Sequence, residues 1–101
     1  MEKISLELTI PEVHPCYVDH FPGNPLVPGA LLLQWIFSKI QTVCLNTVII
    51  EVKSAKFYTA IRPGDLCNLE ICHSVENSIL SVDCMSNSRL ACRCKIIVRS
   101  N

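Results

Sequence analysis

A single apolar helical stretch, residues 30–45, places the strongest constraint on how this chain can fold. Apolar side chains cover most of its circumference, which is typical of a helix enclosed by other elements. A narrow polar stripe with helical spacing interrupts them, at Gln34, Ser38 and Gln41. Gly29 stands at the start of the stretch, and Asn46 is placed to close its end. The pattern therefore predicts one buried helix.

Most of the remaining chain alternates between apolar and polar residues with the period of β-strands. Residues 4–10 form one such segment before the helix, and residues 47–57, which begin with β-branched side chains, form another after it. Three further segments, joined by short polar turns, predict an antiparallel meander over residues 67–75, 80–85 and 90–99. One helix covered by one antiparallel sheet is an α+β arrangement, expected here as a single domain over residues 1–101.

The segment before the helix carries the most informative motif. Five prolines and two glycines exclude regular structure over residues 11–29. Residues 20–34 then read His-Phe-Pro-Gly-Asn-Pro-Leu-Val-Pro-Gly-Ala-Leu-Leu-Leu-Gln. This run resembles the signature of the 3-hydroxyacyl-acyl-carrier-protein dehydratases, and the resemblance continues at Lys56-Phe57 and Pro63-Gly64-Asp65. It covers nearly the whole chain and implies the hot-dog fold, an antiparallel sheet wrapped around one central helix.

The resemblance also implies a site. It makes His20 the catalytic base and assigns substrate binding to Phe21, Pro28, Gly29 and Ala30. Backbone N–H groups at the helix start, which Gly29 leaves uncovered, can polarise a thioester carbonyl and hold an enolate-like oxygen. A histidine near that carbonyl can remove the acidified α-proton, because its pKa lies near neutrality.

Gln34 departs from the family pattern. Fourteen positions after the histidine, the family carries a carboxylate that protonates the departing β-hydroxyl, and this chain carries an amide. A primary amide is no general acid near neutral pH, although it can hydrogen-bond to a hydroxyl or orient a water. An amide inside an apolar helix needs partners, so we expect Gln34 to face the same cavity as His20 of the opposite protomer. Asp19 is an alternative source of the missing carboxyl.

The other reactive side chains carry weaker patterns. His14 precedes a proline and is expected to be a loop residue, whereas His73 shares the core face of its strand. Seven cysteines cannot all pair within one chain, and no CxxC pair occurs. We expect reduced thiols that serve as small hydrophobic core residues, with Cys16 a loop thiol. No metal site and no cofactor are expected.

Composition limits the partners. The formal net charge is zero, which gives no electrostatic case for binding nucleic acid or a membrane surface. No signal-peptide pattern or bilayer-length apolar stretch is present, which predicts a soluble cytoplasmic protein.

Half the residues are hydrophobic, which favours burial against another subunit, as a homodimer or a higher oligomer. Outward strand positions carry basic residues that predict a docking face for an acidic acyl carrier protein, or an ordinary solvated face: Arg93, Lys95 and Arg99.

Three functions remain open at this point. The leading hypothesis is a dehydratase-like lyase acting on 3-hydroxyacyl thioesters of acyl carrier protein, in fatty-acid or polyketide synthesis. The second is a non-catalytic acyl-thioester-binding subunit, completed in a heterodimer by a paralogue that retains the carboxylate. The third is a thioesterase, which shares the hot-dog fold.

Overall fold

The computed structural model describes residues 2–15 and 27–100. Its elements follow the chain in a simple order: β1 (Glu2–Thr9), α1 (Gly29–Val43), β2 (Thr47–Phe57), β3 (Leu66–Ser74), β4 (Ile79–Ser86) and β5 (Arg89–Ser100). Each predicted strand is confirmed to within about two residues at either end, which is the usual uncertainty of strand and helix boundaries. Within the described ranges, no helix has the length and apolar character needed to cross a bilayer.

The five strands form one antiparallel sheet in the order β1-β3-β4-β5-β2. The strands β3, β4 and β5 pair consecutively as the predicted meander, and β1 and β2 lie at its two edges. Because α1 connects β1 to β2 in sequence, it must join opposite edges of the sheet. The helix therefore lies across the inner face, which gives the predicted α+β arrangement.

The core lies between α1 and the inner face of the sheet. Every second residue of the three meander strands is buried there, including Leu69, Val82 and Ile96. The helix contributes Leu32, Ile36 and Ile40, which are four residues apart and share one face. The inward side chains of the strands and of the helix thus pack together in a single apolar cluster.

Two predictions about the helix are wrong for the isolated chain. Its end lies at Val43, two residues before Leu45, because Cys44 leaves the helical conformation at ψ 66° while its N–H still bonds to the Ile40 carbonyl at 2.8 Å. Among the described residues, the helix is also covered on one face only. The predicted polar stripe is exposed, and several apolar side chains beside it remain half-buried.

Candidate functional site

The N-terminus of α1 is the structural centre of the candidate site. Pro28 is the N-cap residue in an extended conformation, φ −60° and ψ 142°, and it supplies no side-chain hydrogen bond to the helix. Its carbonyl accepts the first helical bond from the Leu32 N–H at 3.0 Å. The N–H groups of the first turn have no partners within a helix, and no acidic side chain stands in that turn. Gly29 and Ala30 therefore present donors at the positive end of the helix.

The loop between β2 and β3 holds this helix end in place. The Val27 N–H donates to the Ile61 carbonyl at 2.9 Å, which ties the chain entering the helix to the loop. The loop is itself closed by a turn in which the Asp65 carboxylate accepts from the Arg62 N–H at 2.9 Å. Gly64 adopts a φ of 85°, which only glycine reaches readily, at the position of this Pro-Gly turn that requires it. The Pro-Gly-Asp motif thus supports the site without forming part of it.

A cavity of about 390 Å³ opens at the helix N-terminus. Its walls are mostly apolar and come from the helix start and from the end of β2 with the loop that follows: Val27, Gly29, Leu32, Phe57, Tyr58, Thr59, Ala60 and Ile61. Apolar walls with a few backbone donors are typical of pockets for small molecules. The arrangement suits an acyl group whose carbonyl oxygen approaches the first helical turn.

The predicted site residues fall into two groups. Pro28, Gly29 and Ala30 lie together at the helix N-terminus, as the sequence motif requires. His20 and Phe21 lie outside the described residues, as do Asp19 and Cys16.

Gln34 lies on the other side of the helix. Its side chain is exposed, two positions away from both Leu32 and Ile36, and so on the helix face opposite the core. Among the described residues nothing covers it, and the expectation that its amide faces a cavity shared with the opposite protomer stays a prediction.

Sequence reasoning assigned no role to Phe57, which the structure places in the cavity wall and against Gly29. The signal was present, since Lys56-Phe57 is part of the family resemblance. A local pattern gives no indication that the end of a strand packs on the start of a helix 28 residues earlier.

The cysteines behave mainly as core residues. Cys67, Cys84, Cys92 and Cys94 are free and buried on the inner face of the meander, as expected for reduced thiols used as small apolar side chains. The neighbouring thiol, Cys67 or Cys92, together with burial raises the pKa of Cys84 and of Cys94, and both stay protonated at neutral pH. The same pairing lowers the pKa of Cys67 and of Cys92.

The two other histidines, His14 and His73, lie away from the cavity at the helix N-terminus. The His14 ring stacks edge-on against Trp35, with 5.6 Å between ring centroids. His73 is half-buried at the end of β3 and faces a separate cavity near the C-terminal end of the helix. Neither residue lines the cavity at the helix N-terminus.

The outer face of the sheet is divided by charge. Strand register places Glu70, Asp83, Arg93 and Lys56 in one row across β3, β4, β5 and β2. Asp83 accepts two hydrogen bonds from the Arg93 guanidinium, at 2.8 and 3.1 Å, and raises the pKa of Arg93. In this row the negative charge therefore lies on β3 and β4, and the positive charge on β5 and β2.

One helix lying across an antiparallel sheet, with its N-terminus at an apolar cavity, is the arrangement of the hot-dog class of proteins. The ApeI-like family, described as ApeI dehydratase, matches residues 1–95, and the chain belongs to this family. The predicted kinship with dehydratases is thereby confirmed.

Individual proteins agree with this assignment. The 3-hydroxyacyl-[acyl-carrier-protein] dehydratase FabZ of Anaplasma phagocytophilum is 32% identical over 77 residues, which are 63% of this chain and 53% of that protein. FabZ of Lactobacillus helveticus is 35% identical over 63 residues, 54% of this chain and 43% of that protein. The chain spans about half the length of the curated relatives it matches.

Solved structures confirm the fold. The dehydratase heterocomplex ApeI:P from Xenorhabdus doucetiae superimposes with a TM-score of 0.80 at 22% identity, over 95% of this chain and 86% of that chain. The hot-dog fold predicted from the sequence is therefore correct.

Proposed function

We propose that this chain is a dehydratase that removes water from 3-hydroxyacyl thioesters carried by acyl carrier protein. The apolar cavity at the N-terminus of α1 is the observation that carries the proposal, because it lies where the family motif needs an acyl thioester to bind. The curated relatives that this chain resembles are named as 3-hydroxyacyl-[acyl-carrier-protein] dehydratases. We further propose that the chain acts as one domain in the cytoplasm, where its buried thiols would remain reduced.

The proposed reaction breaks one C–H bond and one C–O bond. The first-turn N–H groups at Gly29 and Ala30 donate hydrogen bonds to the thioester oxygen and stabilise its developing negative charge, which acidifies the proton on the neighbouring α-carbon. His20 takes the α-proton, the electron pair forms the C2–C3 double bond, and the β-hydroxyl leaves. A proton delivered to the hydroxyl completes one molecule of water. Phe21 and Pro28 would border the acyl group beside these donors.

The source of the proton for the leaving hydroxyl distinguishes this chain from the family pattern. At Gln34 the amide holds no acidic proton, so it can only orient the hydroxyl or a water that donates. We propose that a second protomer covers the exposed Gln34 face and brings its His20 opposite this amide. If that protomer were a paralogue with a carboxylate at the corresponding position, the heterodimer would have a complete acid and base at one of its two sites.

The proposal is tested by incubating the purified chain with a 3-hydroxybutyryl or crotonyl acyl carrier protein and following the alkene by absorbance and mass spectrometry. We expect conversion between hydroxyacyl and enoyl forms without release of free thiol. His20→Ala should abolish this conversion and leave the melting temperature almost unchanged, because the sequence predicts a loop at His20 and loop residues contribute little to a core.

Other outcomes would contradict the proposal. Release of free thiol would identify a thioesterase. Binding without conversion, by the chain alone, would identify an acyl-binding subunit that needs a partner. Retained conversion in His20→Ala, together with a large loss of stability, would show that the histidine is structural.

A further inference from the structure

The glycine at the start of α1 leaves room for a neighbouring aromatic ring. A Cβ atom added at Gly29 would lie 2.8 Å from Cζ of Phe57, closer than real Cβ contacts allow. The two Cε atoms of the ring would lie almost as near, at 3.1 and 3.2 Å. A ring pointing edge-on at Gly29 would hold its Cε atoms much farther away than its tip. The outer part of the ring therefore turns its face onto the Gly29 Cα.

The backbone of Phe57 is firmly held. Phe57 is the last residue of β2 and is paired with the buried Cys92 of β5. The next residue, Tyr58, donates its N–H to the Ala91 carbonyl at 2.8 Å. The ring itself is half exposed and forms part of the cavity wall. A rigid strand end thus presents one aromatic face to the helix N-terminus and the rest of the ring to the cavity.

This contact fixes the distance between the helix N-terminus and the cavity wall. The helix start has no side-chain cap to hold it, and among residues 2–15 and 27–100 its position depends on the Val27 N–H bond and on packing. Catalysis by backbone N–H groups demands close placement, since donors must lie about 2.7–3.1 Å from the developing oxyanion. A displacement of the order of 1 Å can lower a rate by about 10²-fold.

We propose that Phe57 is a positioning residue: through its contact with Gly29, the ring places the first-turn N–H groups of α1 at the cavity where the acyl thioester binds. The inference rests on the proposed function. It gives Gly29 a second role besides leaving the N–H donors uncovered. Because glycine has no side chain, the Phe57 ring can approach the helix axis at this position.

The test is a compensating pair of substitutions. Gly29→Ala should lower kcat by about 10- to 100-fold with a smaller change in KM, because misplaced donors affect the transition state more than substrate binding. Its melting temperature should not fall greatly, since alanine is the better helix former and the ring can tilt away. Phe57→Leu should also lower kcat. In the double variant, the alanine methyl occupies space vacated by the ring, and most of the lost kcat should return.

Tyr58→Leu provides the matched control. It removes the adjacent aromatic side chain of the same cavity, and combined with Gly29→Ala it should give no recovery. A double variant Gly29→Ala/Phe57→Leu that is no better than the worse single variant would overturn the positioning role.

A readout independent of turnover separates this inference from the proposed function. Over the face of a ring, the Gly29 α-protons should resonate upfield in NMR spectra of the wild-type protein and return toward ordinary values in Phe57→Leu. An ordinary Gly29 shift in the wild type would overturn the contact itself. Wild-type protein that neither binds nor converts an acyl thioester would instead refute the proposed function, whatever the Gly29 shift shows.

Discussion

Under the proposed function, the amide of Gln34 limits the chemistry that a homodimer of this chain could perform. The residue is exposed on the helix face that the sheet leaves uncovered, and we propose that a second protomer covers it. An exposed amide in one chain carries no desolvation cost. A carboxyl in the same place would be enclosed in the assembled protein, where burial would raise its pKa and keep it protonated for donation.

We predict that Gln34→Glu raises dehydratase activity by about 10²–10⁴-fold, the contribution expected of a general acid. The measurement is turnover of one carrier-bound 3-hydroxyacyl substrate by the wild type, Gln34→Glu and Gln34→Ala side by side. Gln41→Glu makes the same chemical change on the same helix, two turns away, and should leave activity at the wild-type level. Wild-type turnover equal to or faster than that of Gln34→Glu would refute the missing-acid account.

At the scale of elements, strands β5 and β2 form the basic half of the outer sheet face. Lys95 lies opposite Ser54 of β2 and Ser81 of β4, where no acidic group faces it across the strands. Arg93 is engaged by Asp83, so part of its charge is already satisfied. Lys56 and Lys95 are therefore the better candidates for attracting an acidic carrier protein. Arg62 and Arg89 border a different, loop-lined depression.

We predict that the double variant Lys56→Glu/Lys95→Glu weakens binding of acyl carrier protein at least tenfold at low salt. The effect should shrink as salt rises, because exposed charges are screened within about 10 Å at 0.1 M ionic strength. Titration by fluorescence or calorimetry at two salt concentrations measures it. Lys3→Glu, on the outer face at the far edge of the sheet, is the control and should change binding little. Unchanged affinity in the double variant would leave this face as an ordinary solvated one.

For the whole molecule, the distribution of exposed apolar side chains indicates a surface that a second protein chain would cover. Most of the large apolar side chains exposed in the described part of the chain lie on β2 or beside it: Val43, Leu45, Ile50, Val52, Phe57 and Tyr58. The strand β2 is also a sheet edge, with unpaired backbone groups along one side. A second copy paired along β2 would cover this edge and could reach the open face of α1.

We predict a homodimer in solution, with a mass by light scattering of twice the chain mass at micromolar concentration. Ile50→Lys should shift the population toward monomer, because a charge on an edge strand opposes pairing. Val75→Lys places the same charge at a side chain that is 68% exposed in the β3–β4 turn, and it should remain dimeric. A monomeric wild type would argue against the dimer and against a site shared between protomers.

The sequence by itself determined the local structure and the family. Alternation with period two marked the strands, because their inner positions, such as Leu69 and Val82, are buried by the same helix face. The Pro-Gly turn at residues 63–64 was predictable because its φ of 85° at Gly64 follows from chemistry within four residues. The motif over residues 20–34 identified the family, because its spacing of prolines and glycines can be recognised in the sequence itself.

Only the tertiary structure decided which surfaces are covered and which residues meet. A helical pattern shows that side chains avoid water, but it does not show whether their own sheet or a partner encloses them. The apolar character of α1 therefore suggested complete burial, whereas the part of the chain that the structure describes covers only the Leu32 and Ile36 side. The contact between Phe57 and Gly29 could not be predicted from the sequence either, because it depends on where β2 ends relative to the start of the helix.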